Sequence, residues 1–317
     1  MKVKFGVDVG GTTVKIGLFD MENTLIWKGE IDTDKTDNGN NILGKICDKL
    51  REVLDSQDLD LADLAGVGIG LPGPVTEDGR ILGCVNLGWG IFNIEKTMSD
   101  ILMGVPVKAG NDANVAALGE QSFGGGKGHD NVVMITLGTG VGGGIILGGK
   151  IVTGTNGAAG EIGHIPVNPH ETMECNCGKC GCLEQYASAS GIKRLAEKYI
   201  KEGEASSYLE AVVKAEEKGF TAKDVMDGAK KGDSLCIKVA EEMSRYLGMA
   251  LAGVASVVNP DCMVIGGGVS KAGQYIIDLI EKYFMQYAFV PCRNVTFRLA
   301  ELENDAGIYG AAGLIQS

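Results

Sequence analysis

Residues 2–20, "KVKFGVDVGGTTVKIGLFD", consist of an apolar run, a cluster of glycine and threonine, and a second apolar run. Two such runs separated by small turn-forming residues predict strand, tight turn and strand. Roughly 130 residues later the pattern returns in "NVVMITLGTGVGGGIILGG", residues 131–149. Two strand–turn–strand units so far apart predict a duplicated sheet-forming lobe. Working outward, residues 40–56 change period: Ile42, Ile46, Leu50, Val53 and Leu54 fall on one helical face. "LAGVGIGLPGPV" at 64–75 reads as a buried strand entering a Gly/Pro turn, and helical spacing is expected over 190–201, 207–218, 235–258 and 273–286. "PDCMVIGGGVS" at 260–270 is a strand ending in three glycines, and "NDAGIYGAAGLI" at 304–315 is a helix with small residues on one face. This alternation of strands and helices predicts an α/β protein.

The chain of 317 residues is long enough for two lobes. A formal charge of −12 argues against nucleic acid as a partner, because phosphate backbones demand clustered Lys and Arg. The longest apolar run, around 247–258, is too short to span a bilayer and holds glycines, so no membrane is expected. The first residues read as a strand and not as an export signal. A cytoplasmic location is therefore expected, with the nine cysteines reduced or metal-bound.

Glycine numbers 49 and falls in blocks, which means close backbone approach at several places. Gly68, Gly70 and Gly73 match a dinucleotide fingerprint, as do Gly138, Gly140 and Gly143, but neither stretch opens a helix where the pyrophosphate would need one. Residues 144–150 resemble a P-loop until Ile151 replaces the required Ser or Thr. A different phosphate grip fits. In "DVGGTT" and "LGTGVG" the backbone N–H groups and Thr hydroxyls between two strands can face a polyanion. Asp8, at a strand end, suits Mg²⁺ held through water. The "GGGVS" turn lets a nucleoside approach the backbone.

"GNDANVAALGE" sets Asn111 and Asp112 before a helical run, where Asp112 is either an N-cap or a general base. Phosphorylating a sugar hydroxyl needs one base and several groups to fix the other hydroxyls. Asp112 suits the first role. Asn86, Asn111, Glu161, His164 and Glu184 suit the second, with Trp89 either lining that pocket or filling the core.

With these residues the sequence resembles the ROK family of sugar kinases and sugar-responsive repressors. The likeness runs through "DVGGTTVK", "GLPGPV", "NLGW", "NDANVAALGE", "LGTGVGGGI", "GEIGH", "CNCGKCGCLE" and "GGGVS". It implies a two-lobed actin/hexokinase-type (ribonuclease H-like) fold, with duplicated mixed-sheet lobes and a cleft for sugar and ATP. The lobes are expected at 1–113 with 304–317, and at 114–303. It implies that Asp112 is the catalytic base and that Asp8, Gly10, Gly11, Thr12, Thr13 and Lys15 form the first phosphate motif. Gly138, Thr139 and Gly140 form the second, and Gly266, Gly267 and Gly268 the nucleoside side. Within the family, "VNLGW" and "NDANVAALGE" look most like the ATP-dependent glucokinases, while other members phosphorylate fructose, mannose, allose or N-acetylmannosamine. Repressor members carry an N-terminal helix-turn-helix, for which the first eight residues leave no room, so a non-catalytic sugar sensor is the less favoured reading. A homodimer or dimer of dimers is the assembly the resemblance suggests.

The family's C-x-C-G-x-x-G-C-x-E pattern, with an upstream histidine, makes a structural zinc site. Here that implies His164, Cys175, Cys177 and Cys182, a closed set without an open position for water. Cys180 stands at a variable position, so an all-cysteine set of Cys175, Cys177, Cys180 and Cys182 is one alternative, and His170 in place of His164 another. Cys47, Cys84, Cys236, Cys262 and Cys292 are expected as small core residues.

Overall fold

The computed structural model describes residues 1–215 and 219–315, so the last three positions of the helix expected over 207–218 lie outside the described residues. Two compact units emerge: residues 1–130, 144–160 and 302–317, and residues 131–143 with 161–301. No helix among the described residues is long and apolar enough to cross a membrane.

In the first unit, β1 (Val3–Val9), β2 (Thr13–Asp20) and β3 (Leu25–Asp32) form an antiparallel meander. After α1 (Ile42–Ser56), the chain adds β4 (Leu64–Leu71) parallel to β1. A small ribbon of β5 (Arg80–Ile81) and β6 (Phe92–Asn93) leads into α2 (Ile94–Ile101). Next comes β7 (Val107–Asn111), parallel to β4, and then α3 (Asp112–Phe123). The sheet order is β3-β2-β1-β4-β7.

The second sheet repeats the plan. It contains β8 (Val132–Leu137), β9 (Val141–Leu147), β10 (Lys150–Ile151), β11 (Cys262–Gly266) and β12 (Thr296–Leu299) in the order β10-β9-β8-β11-β12. The β9–β10 pair is antiparallel, whereas β8, β11 and β12 run parallel. Helices α4 (Glu184–Ala187), α5 (Ala189–Lys201), α6 (Ser207–Ala215), α7 (Ala222–Lys230), α8 (Ser234–Val258) and α9 (Gln274–Tyr287) belong to the second unit, whereas β10 and the part of β9 from Gly144 onward are assigned to the first. Helix α10 (Ala306–Gly313) returns to the first. The duplicated mixed α/β architecture expected from the two hairpins is present.

Both cores follow from periodicity. Ile42, Ile46, Leu50, Val53 and Leu54 of α1 are buried with β1, β2 and β4 in one apolar cluster. On the other face, α10 lies almost on the strands because small residues meet there. A Cβ on Gly6 would stand 1.9 Å from the Ile308 carbonyl oxygen, and one on Gly68 would stand 1.7 Å from that of Ala311. Helices α3 and α10 touch by the same means, since a Cβ on Gly310 would be 1.7 Å from the Val115 carbonyl oxygen. This contact puts α3 in the first unit, whereas the expected boundary after residue 113 assigned it to the second. In the second unit, α8 starts on an Asp233 cap that accepts the Cys236 N–H, and it ends at Asn259 with φ of 46°. Gly248 lets α9 approach it, and Phe284 meets Phe297 edge-on at 5.1 Å, joining α9 to β12.

Candidate active site and metal centre

Strands β1, β4 and β7 run parallel, so their carboxyl ends share one edge of the first sheet. The register sets Asp8 level with Gly70, and Gly70 with Gly110. The end of β1 and the β7–α3 junction are therefore about 10 Å apart, two strand spacings. In open α/β sheets ligands bind at this kind of edge.

Each polar group there has a local reason for its position. The Gly10–Thr13 turn is closed by the Gly10 N–H donating to the Thr13 carbonyl at 2.9 Å, and the Thr33 hydroxyl braces it on the Gly10 carbonyl at 2.7 Å. Thr12 is left exposed and Thr13 half-buried. Asp8 pairs across the hairpin with Lys15, whose ammonium donates to the Asn304 carbonyl at 2.9 Å. Burial pushes the Asp8 carboxyl above its usual range, and the Lys15 charge offsets only part of this. The carboxylate lies against α10, where a Cβ on Gly307 would stand 2.5 Å from its Oδ2.

Asn111 is the N-cap of α3: its Oδ1 accepts the N–H groups of Ala113 and Asn114, and its Nδ2 donates to the Gly73 carbonyl at 3.2 Å. Asp112 is the first helical residue, half-buried, with Oδ1 accepting the Ala113 N–H at 2.8 Å. Capping thus falls to Asn111 and not to Asp112. Asn86 is exposed on a short turn anchored by buried Leu87 and Trp89. Of the two readings of Trp89, the core one holds: the ring is buried and its Nε1 donates to the Gly39 carbonyl at 3.0 Å.

The second unit assembles the remaining positions around the β8–β9 turn. Gly138 N–H donates to the Gly140 carbonyl at 3.0 Å, closing the turn. Gly266 lies level with Thr136 in register, and a Cβ on Gly267 would stand 2.6 Å from the Leu137 carbonyl oxygen. The Gly138–Gly140 turn and the triple glycine therefore meet at the carboxyl edge of β8 and β11. Glu184 reaches the same turn: its Oε2 accepts the Val141 N–H at 2.9 Å and would lie 2.3 Å from a Cβ on Gly140. The Ser190 hydroxyl donates to the Thr139 carbonyl at 3.1 Å. A cavity of about 190 Å³ opens beside these groups, lined in part by Thr139, Cys175, Glu184, Ser190 and Arg194.

His164, Cys175, Cys177 and Cys182 come together with all four ligand atoms within 4.8 Å of one another, while Cys180 and His170 stay outside the group. The backbone makes this possible by pairing 165–167 with 181–183, where Val167 N–H donates to the Gly181 carbonyl and Leu183 N–H to that of Ile165. Gly178 and Gly181 turn the chain with φ of 79° and 77°. The Cys177 and Cys182 sulfurs are 3.6 Å apart, and the Cys175 sulfur is 3.9 Å from His164 Nδ1. Tetrahedral bonds of about 2.3 Å to sulfur imply ligand separations of about 3.8 Å. The Cys177–Cys182 and Cys175–His164 separations match this and the whole set lies within 4.8 Å, so the donor set is compatible with one tetrahedral divalent ion. Nε2 of His164 faces the Glu161 carboxylate at 4.0 Å, the outer partner that metal-bound imidazoles usually have.

The family model described as the ROK family matches residues 4–317. The chain belongs to the ROK family. Among its ROK relatives, a glucokinase of Halalkalibacterium halodurans is 43% identical, covering 98% of this chain and 94% of that protein. A ROK glucokinase from Streptomyces griseus, solved in complex with glucose and AMPPNP, superposes with a TM-score of 0.75 at 35% identity, covering 99% of both chains. A ROK transcriptional regulator, a homolog of the E. coli MLC protein, superposes with a TM-score of 0.84 at 28% identity, covering 98% of this chain and 76% of that one.

Spacing did not single out the supports of the His/Cys cluster. Gln185, Glu171, Tyr186 and Arg194 bond to segments 9–23 residues away, and nothing local in the sequence marks those partners. Gly307 carried a signal only as one of several small residues in the last helix.

Proposed function

We propose that this protein is an ATP-dependent hexokinase that transfers the γ-phosphoryl group to the 6-hydroxyl of glucose. Asp112 accepts the hydroxyl proton as the oxygen attacks phosphorus in line, and Asn86, Asn111, Glu161, His164 and Glu184 hold the other hydroxyls. The turns at Gly10–Thr13 and Gly138–Gly140 present N–H groups and hydroxyls to the phosphates, with Lys15 beside the first and Gly266–Gly268 toward the nucleoside. Mg²⁺ near Asp8 would supply charge neutralisation on the β- and γ-phosphates. Zinc held by His164, Cys175, Cys177 and Cys182 would be structural, its ligand set closed by protein atoms. A cytoplasmic location suits both the nucleotide and the reduced thiols.

The observation that carries the reading is the shared strand edge of the first unit, where register sets the β1 turn level with the β7–α3 junction. Full-length identity of 43% to a glucokinase supports glucose as the sugar. Coupled ADP release with glucose, mannose, fructose, allose and N-acetylmannosamine at matched concentrations tests it. Glucose should give the highest kcat/KM, and Asp112→Asn should lower kcat by roughly three decades or more while the fold persists. Turnover in that variant equal to wild type removes the base. ADP at background with every sugar would favour a non-catalytic sugar-binding regulator instead; a ROK transcriptional regulator shares this fold.

A further inference from the structure

We infer that Gln185 is a positioning residue that clamps both ends of the cysteine loop and so aims Glu184. The side chain is 7% exposed and all three of its bonds go to the backbone of this loop. Its Oε1 accepts the N–H of Gly181 at 2.8 Å and of Cys182 at 3.1 Å, while its Nε2 donates to the Met173 carbonyl at 2.9 Å. One amide therefore spans the loop, from the residue two before its first cysteine to its last cysteine. The oxygen must face two donors and the nitrogen an acceptor, so the amide has one orientation that satisfies all three bonds. Neither a carboxylate, which lacks the donor, nor an ammonium, which lacks the acceptor, can replace it.

The consequence reaches Glu184 because it is the adjacent residue. Gln185 N–H donates to the Cys182 carbonyl at 3.0 Å, and Arg194 Nη2 holds the Gln185 carbonyl at 2.8 Å. With the residue fixed through both backbone and side chain, the Glu184 carboxylate is directed at the Val141 N–H and, through Oε1, stands 3.9 Å from the Cys175 sulfur. Losing the clamp frees the Met173 end of the loop, and with it Cys175, from the helix that carries Glu184. The inference rests on the zinc and sugar readings above, and its test separates them.

The test uses Gln185→Glu and Gln185→Ser, each checked for fold by circular dichroism, so that the second carries the result if the first does not fold. Zinc content comes from elemental analysis, zinc release from transfer to a chromogenic chelator, and KM and kcat from glucose titration. Outer supports of metal ligands are worth 10–100-fold in affinity. The expectation is zinc release at least about tenfold faster, glucose KM raised about tenfold, and kcat within about threefold of wild type. Folded variants with wild-type release and wild-type KM overturn the inference, as does a fall in kcat at constant KM. If wild-type protein holds no zinc, the metal reading fails and KM alone decides. If wild type does not phosphorylate glucose, the sugar reading fails and zinc release alone decides.

Discussion

Gly307 shows how one missing methyl group leaves room for the Asp8 carboxylate. Alanine is intrinsically better in a helix by about 1 kcal/mol, so propensity alone favours Gly307→Ala in α10. Packing opposes it, because the new Cβ would stand 2.5 Å from both Cγ and Oδ2 of Asp8 and 2.9 Å from its Cβ. Asp8 is short, sits inside β1 and is paired across the hairpin with Lys15, so it has little room to yield. Overpacking of this kind costs about 1–3 kcal/mol. The substitution should therefore be nearly neutral to mildly destabilising, yet it should turn Asp8 away from the phosphate edge. We expect kcat with ATP to fall at least tenfold, with a urea midpoint corresponding to a loss of no more than about 2 kcal/mol. Wild-type turnover together with a wild-type midpoint would show that Asp8 tolerates displacement and does not serve the phosphates.

The segment 168–173 is held to α4 and α5 by an element-level network centred on Glu171. Its Oε1 accepts the N–H groups of Thr172 and Met173, and its Oε2 accepts the Tyr186 hydroxyl at 2.8 Å and Arg194 Nη1 at 3.0 Å. Burial pushes the Glu171 carboxyl up, but the Met173 N–H, the Tyr186 hydroxyl and the Arg194 guanidinium together outweigh it and hold the group at about 2, against an ordinary 4.5. A depressed folded value means the folded state binds fewer protons than the unfolded one. The stabilisation is thus complete above pH 4.5 and is lost as pH falls toward 2. Glu171→Gln should melt below wild type at pH 7, and the difference should shrink steadily between pH 4.5 and 3, as read by thermal scans. A difference that stays constant across that window refutes the network's charged form. Apolar spacing made the long elements of the fold legible, as in α1 and α8, where one periodic face is buried. It did not reveal β3, an edge strand whose Leu25, Trp27 and Ile31 are only half-buried, nor the four-residue β12. The cysteines and His164 could be grouped because a metal demands specific residue types. Gln185 could not, because the backbone carbonyl and N–H groups it bonds carry no residue code, nor could Glu171, whose side-chain partners Tyr186 and Arg194 stand 15 and 23 residues away.

At the scale of the whole molecule, the same strand order recurs in two sheets, and each carries a glycine turn at its first hairpin. The putting together of function differs between them. The first unit holds Asp8, Asn86, Asn111 and Asp112, while the grouped His164, Cys175, Cys177 and Cys182, with Glu161 and Glu184, belong to the second. Removing zinc should therefore loosen the second unit alone. A site filled about a thousandfold above its dissociation constant contributes about 4 kcal/mol to the state that binds it, equivalent to roughly a thousandfold in a local opening constant. Hydrogen exchange of chelator-treated protein should accelerate by up to that factor at the N–H groups of Val167, Cys175, Gly178 and Leu183, which close the loop by backbone bonds. The β1–β2 ladder and α10 should retain their protection, because the ladder and the cluster of Phe19, Ile308 and Ala312 that joins them are built from first-unit residues. Uniform acceleration in both units would mean that the metal supports the global fold; unchanged exchange across residues 164–183 would mean that the loop keeps its shape by hydrogen bonds alone.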